Sequence, residues 1–77
     1  MQAYVEIRLF ASLKPKTPQN AERFPIASGT TVGDILGSIG LSREEAKLIF
    51  VDGKRGYLYS VLIGGERVAI FPPVGGG

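Results

Sequence analysis

Neither cysteine nor histidine occurs anywhere in the 77 residues. Without cysteine there is no disulfide framework, no thiolate metal site and no thiol nucleophile. Without histidine there is no imidazole to move protons near neutral pH. Strong charge of one sign is lacking too. Nine Lys and Arg against seven Asp and Glu leave a net charge of +2, spread along the chain. No basic cluster with interleaved aromatics is visible, which argues against a nucleic-acid partner. No apolar run approaches the roughly 20 residues that span a bilayer. The start, Met1-Gln2-Ala3-Tyr4, has neither the basic segment nor the apolar stretch of a secretory signal. These absences predict a cytoplasmic chain with no membrane partner.

The usual carriers of chemistry are equally sparse. No Gly-x-x-x-x-Gly-Lys is present to cradle a phosphate. Glu44 and Glu45 are adjacent, so on a helix they diverge, and with Asp52 they form no convergent metal set. A chain this short can bury one core but cannot also enclose a deep active site. The expectation is a protein that is not an enzyme by itself and holds no cofactor.

What is present is a regular alternation of elements. Residues 3–10 alternate, with Val5, Ile7 and Leu9 on one face and Tyr4, Glu6 and Arg8 on the other, a half-buried strand. Residues 11–20 contain Pro15 and Pro18 and read as a loop. Residues 21–26 form a second strand with Phe24 and Ile26 inward, and Pro25 requires an edge or a bulge. Thr31 with Asp34 reads as a capped helix start. Val32, Ile35, Leu36 and Ile39 make the helix's apolar face, Gly37 offers room for close packing against a sheet, and Gly40 is its stop. Ser42 with Glu45 opens a further short turn of helix.

Residues 47–51 are a strand ending in the turn Asp52-Gly53, and Tyr57-Leu58-Tyr59 reads as a short edge strand. Gly64-Gly65 is a turn before the last strand, residues 67–71, with Val68 and Ile70 inward. One amphipathic helix over one apolar sheet face gives a two-layer α+β domain. The predicted fold is β-grasp, ubiquitin-like: a mixed sheet of four to five strands under one main helix, the last strand parallel to the first. The domain covers residues 1–74, and residues 75–77 are a flexible glycine tail.

The end of the chain, Gly65-Glu66-Arg67-Val68-Ala69-Ile70-Phe71-Pro72-Pro73-Val74-Gly75-Gly76-Gly77, resembles the end of the small subunit of molybdopterin synthase (MoaD). Phe10-Ala11-Ser12-Leu13 and Thr31-Val32-Gly33-Asp34 also look like that family's opening strand and helix start. Glu66 stands for the family's usual Asp, and Gly75 stands where Ala is frequent. The thiamine-pathway carrier (ThiS) shares the fold and the Gly-Gly but usually lacks Pro-Pro-Val. The resemblance implies a sulfur carrier. Its C-terminal carboxylate is adenylated by an E1-like enzyme (MoeB/ThiF type) and becomes a thiocarboxylate. It then delivers sulfur on the large subunit of molybdopterin synthase (MoaE type), for the dithiolene of the molybdenum or tungsten cofactor. Two alternatives stand beside it: a protein modifier conjugated through Gly77, and a non-covalent ubiquitin-like binding module. Within the carrier class, thiamine biosynthesis is the other destination.

The residue types suit that role. Gly77 supplies the reacting carboxylate, and Gly76 and Gly75 have no Cβ to collide with a narrow channel. Three extended glycines reach about 10 Å. Pro72 and Pro73 stiffen the base of the tail toward polyproline II, below Val74. By strand parity Phe71 points away from Val68 and Ile70, either as an exposed partner anchor or packed under the 15–18 loop. Ile49 belongs to a segment, Leu48-Ile49-Phe50, that resembles a recognition strand of ubiquitin. It either faces outward with Lys47 or inward with Val51. Arg8, Arg67, Lys54 and Arg55 either meet acidic groups of an activating enzyme or are ordinary solvated charges.

Overall fold

A computed structural model describes residues 3–73. Five strands and one helix follow in the order β1 (Ala3–Leu9), β2 (Phe24–Ile26), α1 (Val32–Ile39), β3 (Leu48–Val51), β4 (Lys54–Arg55) and β5 (Arg67–Phe71). They build one sheet ordered β2-β1-β5-β3-β4. β5 lies parallel to β1 and antiparallel to β3, so the last strand in sequence is the middle strand in space. The β-grasp expectation is met. Pro25 stands on β2, an edge strand, where its missing N–H costs no ladder bond.

The helix forms where its first-turn donors can all be satisfied. Thr31 and Asp34 close a reciprocal capping box, with Oγ1 of Thr31 accepting from the Asp34 N–H at 3.1 Å and Oδ2 of Asp34 accepting from the Thr31 N–H at 3.0 Å. The N–H groups of Val32 and Gly33 donate to the carbonyls of Ser60 and Leu58, and that of Ile35 to Thr31. Gly40, at φ 81°, ends the helix in the left-handed region. Gly33, not Gly37, is the close-packing glycine: a Cβ on Gly33 would sit 3.2 Å from the Leu58 carbonyl, whereas Gly37 has open space.

Val32, Ile35 and Leu36 of α1 cover Val5, Ile7, Leu9, Ile49, Val68 and Ile70 of the sheet. This is one core, and among the described residues no polar side chain is buried in it.

Four local expectations change. Residues Ala11–Lys16 form a 3₁₀ helix that buries Leu13, because successive three-residue turns tolerate Pro15 where an α-helix does not. Ala21–Arg23 is a second 3₁₀ turn leading into β2. Residues 57–59 pair with the start of α1 and not with a strand; β4 is instead Lys54–Arg55, set by a two-residue turn with Asp52 and Gly53 at φ 54° and 80°. Ser42 and Glu45 do exchange the expected hydrogen bonds, but they close a single turn and not a helix.

Candidate functional site

β5 leaves the sheet at Phe71, and Pro72-Pro73 follow at once. The Phe71 carbonyl accepts the Lys47 N–H at 3.0 Å, and the Phe10 N–H donates to Ile70 at 3.2 Å. Neither proline has an N–H, so the ladder stops there. The base of the tail is therefore anchored on the central strand through neighbours on both sides.

Phe71 points to the sheet face opposite α1, where its ring is half-buried. It stacks on Phe10 with centroids 4.3 Å apart and planes 6° apart, and meets Phe50 edge-on at 5.8 Å. Leu48 stands directly opposite it across the β3–β5 ladder. The three rings form an aromatic patch at the edge where the chain departs. Parity alone shows Phe10 on the outward series Tyr4, Glu6, Arg8. The register adds Phe50, opposite the outward Ala69.

The other end of the same face is charged. The Glu6 carboxylate receives Arg8 Nε at 2.7 Å and Arg67 Nε at 3.2 Å. Hydrogen bonds from Arg8 and then Arg67 hold the Glu6 carboxyl below the usual glutamate value of 4.5. A depressed carboxyl pKa contributes stability above the unfolded value and loses it as pH falls through the folded one. Melting curves of the wild type and of Glu6→Gln are therefore expected to differ at neutral pH and to converge below the ordinary glutamate range, with added salt narrowing the gap.

Arg8 and Arg67 are thus engaged with Glu6. Lys54 and Arg55 are both exposed. Arg55 lies on this sheet face opposite Phe50, and its guanidinium sits 5.2 Å from the centre of the Tyr57 ring. Of the carboxylates weighed as metal candidates, Asp52 and Glu45 have structural partners. Asp52 Oδ1 accepts the Arg67 N–H at 2.9 Å, and Glu45 accepts from Ser42 and lies 3.8 Å from Lys16 Nζ. Glu66 is also structural. Its carboxylate takes the N–H groups of Ile63 and Gly64 at 2.8 and 2.7 Å, which fixes the turn into β5.

Ile49 requires a correction. It is 4% exposed and belongs to the core. Its register partner is Ile70, and residues opposite one another in an antiparallel ladder share a face, so the fully buried Ile70 draws it inward. Ile49 is not a contact residue, and Phe50 takes its place on the open face. Phe71 does not pack under the 15–18 loop but on Phe10. Pro72 is half-buried and Pro73 exposed. Val74, Gly75, Gly76 and Gly77, and with them the boundary between domain and tail, lie outside the described residues.

The family model for the Mut7-C ubiquitin matches residues 1–75. The chain belongs to the Mut7-C ubiquitin family. This Mut7-C ubiquitin domain is also similar to solved structures from Haloferax volcanii. One is a crystal structure of small archaeal modifier protein 1, at 23% identity and TM-score 0.70, covering 94% of this chain and 99% of that one. Another is a crystal structure of SAMP1, at 25% identity and TM-score 0.68, covering 97% and 100%. A third is the solution structure of the HVO 2177 protein, at 25% identity and TM-score 0.76, covering 99% and 88%. No curated protein matches the chain. The Mut7-C ubiquitin domain is thus ubiquitin-like over nearly its whole length. Among its described residues no helix is long and apolar enough to cross a membrane.

Proposed function

We propose that this domain is a carrier whose terminal carboxylate, on Gly77, is activated and loaded with sulfur by partner enzymes. The observation that carries the reading is the way β5, the central strand, runs straight into Pro72-Pro73 beside the Phe10–Phe50–Phe71 patch. A reactive end tethered to the middle of the sheet has a fixed point of departure, and an aromatic patch beside it gives a partner something to grip.

The chemistry belongs to the tail and the partners. The Gly77 carboxylate attacks the α-phosphorus of ATP on an E1-like enzyme, giving an acyl adenylate and pyrophosphate. A sulfur nucleophile then adds to the acyl carbon and expels AMP, leaving a thiocarboxylate. Gly75 and Gly76 have no side chain to obstruct a narrow channel, and Pro72 and Pro73 stiffen the base of the tail. By resemblance of Pro-Pro-Val to the molybdopterin synthase small subunit, the sulfur goes to dithiolene formation on a large synthase subunit.

A second reading has its own support. The similarity to a protein named small archaeal modifier protein 1 favours conjugation of Gly77 to lysine amines on other proteins. Both readings share the acyl adenylate and differ in the nucleophile. Intact-mass measurement after incubation with ATP, an E1-like enzyme and a sulfur donor separates them. The carrier gains about 16 Da as sulfur replaces oxygen. The modifier gives higher-mass conjugates instead. Both products vanish on deletion of Gly76-Gly77, and a chain that shows neither product is a non-covalent module.

A further inference from the structure

An uncharged stretch of ten residues, 56–65, has no part in the tail or in the aromatic patch. It follows β4 and runs along the start of α1. The Ser60 carbonyl and the Leu62 N–H bond inward, to Val32 and Thr30, and Thr31 and Val61 form an isolated antiparallel bridge. Leu58 and Tyr59 lie in a turn that the Ser60 N–H closes on the Tyr57 carbonyl, and from Ser60 onward the opposite side of the segment is open. Among the described residues the N–H and C=O of Val61, the N–H of Tyr59 and the C=O of Ile63 are unbonded. The side chains alternate in the same way. Leu62 is buried, while Tyr59, Val61 and Ile63 are 75%, 61% and 83% exposed. Tyr57, partly exposed, stacks on Tyr59 with centroids 5.3 Å apart.

Open edges are normally blunted by lysine, proline or a bulge, and none of these occurs between Gly56 and Gly65. We propose that residues 59–63 are a self-association edge that pairs antiparallel with the same segment of a second copy, on a two-fold axis at Val61. The free groups are self-complementary about that point. Val61 exchanges both of its bonds with its counterpart, and the Tyr59 N–H at the end of the turn and the Ile63 carbonyl flank that pair. The same register sets Val61 beside Val61 and each Tyr59 beside an Ile63, aromatic against β-branched.

A second copy fits this edge for two further reasons. The segment brings no charge, so two copies of net charge +2 meet there without like charges opposed. The open side chains leave on the order of 500 Å² per copy, so pairing removes up to about 1,000 Å², at the lower bound for a specific, weak interface. The edge bonds to the first turn of α1.

Sedimentation equilibrium of the full chain from ~10 µM to ~1 mM tests the proposal. The expected mass climbs toward twice that of the monomer. Val61→Pro removes the central donor without touching the bonds to Thr30 and Val32, and it is expected to stay monomeric. Tyr59→Glu and Ile63→Lys are each expected to be monomeric alone and to recover the dimer when mixed in equal amounts, because the new carboxylate of one copy then faces the new ammonium of the other in the proposed register. Circular dichroism checks folding, and the mixing result stands even where Val61→Pro fails to fold. A wild type that stays monomeric at ~1 mM overturns the proposal. So does a dimer unaffected by the single variants, or a mixture that fails to recover it.

Discussion

Phe71→Asp is expected to reduce kcat/KM for activation of the tail by an E1-like enzyme by roughly 30- to 100-fold, carried mainly by KM. The size follows from the ring's position. Phe71 is the last strand residue before Pro72, half-buried between Phe10 and Phe50, and an anchor of this kind is worth about 2–3 kcal/mol to a partner. Aspartate removes that surface and places a charge where a partner must exclude water. Phe71→Leu keeps most of the area and is expected to cost less than about threefold. Ile49→Ala separates the two sides of the sheet. Being in the core, Ile49 is expected to lower the melting temperature while leaving KM near that of the wild type under conditions where both are folded. Equal KM for Phe71→Asp and the wild type would remove the aromatic patch from the docking surface.

Gly64→Val is expected to destabilise the domain by about 3 kcal/mol or more, and to leave a substantial unfolded fraction at physiological temperature. Two independent costs meet at this position. Gly64 sits at φ 120°, a conformation that β-branched residues rarely adopt, and a Cβ there would lie 2.8 Å from the Cβ of Ala3. The Gly64 N–H also donates to Glu66, so a backbone shift that relieved the clash would break the turn that aims β5. A domain of this size has about 4–11 kcal/mol to lose. Gly65→Ala is the comparison: it too has positive φ, at 88°, but open space for a Cβ, and is expected to cost about 1 kcal/mol. Urea denaturation of the three proteins gives the ranking. Equal midpoints for Gly64→Val and Gly65→Ala would show that the contact with Ala3 does not matter.

Much of the fold was legible because its signals are local. The alternation of Val5, Ile7 and Leu9, the Thr31–Asp34 box and the Pro-Pro stop each report on a few neighbouring residues. The misreadings share the opposite property. Tyr57-Leu58-Tyr59 looks like a strand in isolation, yet its bonding partner is the first turn of α1, a long-range fact that periodicity does not contain. Ile49 had two possible faces until its register against Ile70 was known. Within the site, parity placed Phe71 outward correctly, but its stacking on Phe10 joins residues 61 positions apart. The 3₁₀ helix at Ala11–Lys16 was hidden by Pro15, which argues against an α-helix but not against a single tight turn.

The parallel pairing of β1 with β5 also bears on timing during synthesis. β1 emerges first, but the neighbour that completes its ladder is the last strand to be made, about sixty residues later in the chain. Until residues 67–71 arrive, Val5, Ile7 and Leu9 lack Val68 and Ile70, and the nascent sheet has a gap at its centre. A chain stalled before β5 therefore has no finished sheet. Any enzyme that grips the aromatic patch, which needs Phe71 of β5, selects without further machinery for chains whose sheet has closed.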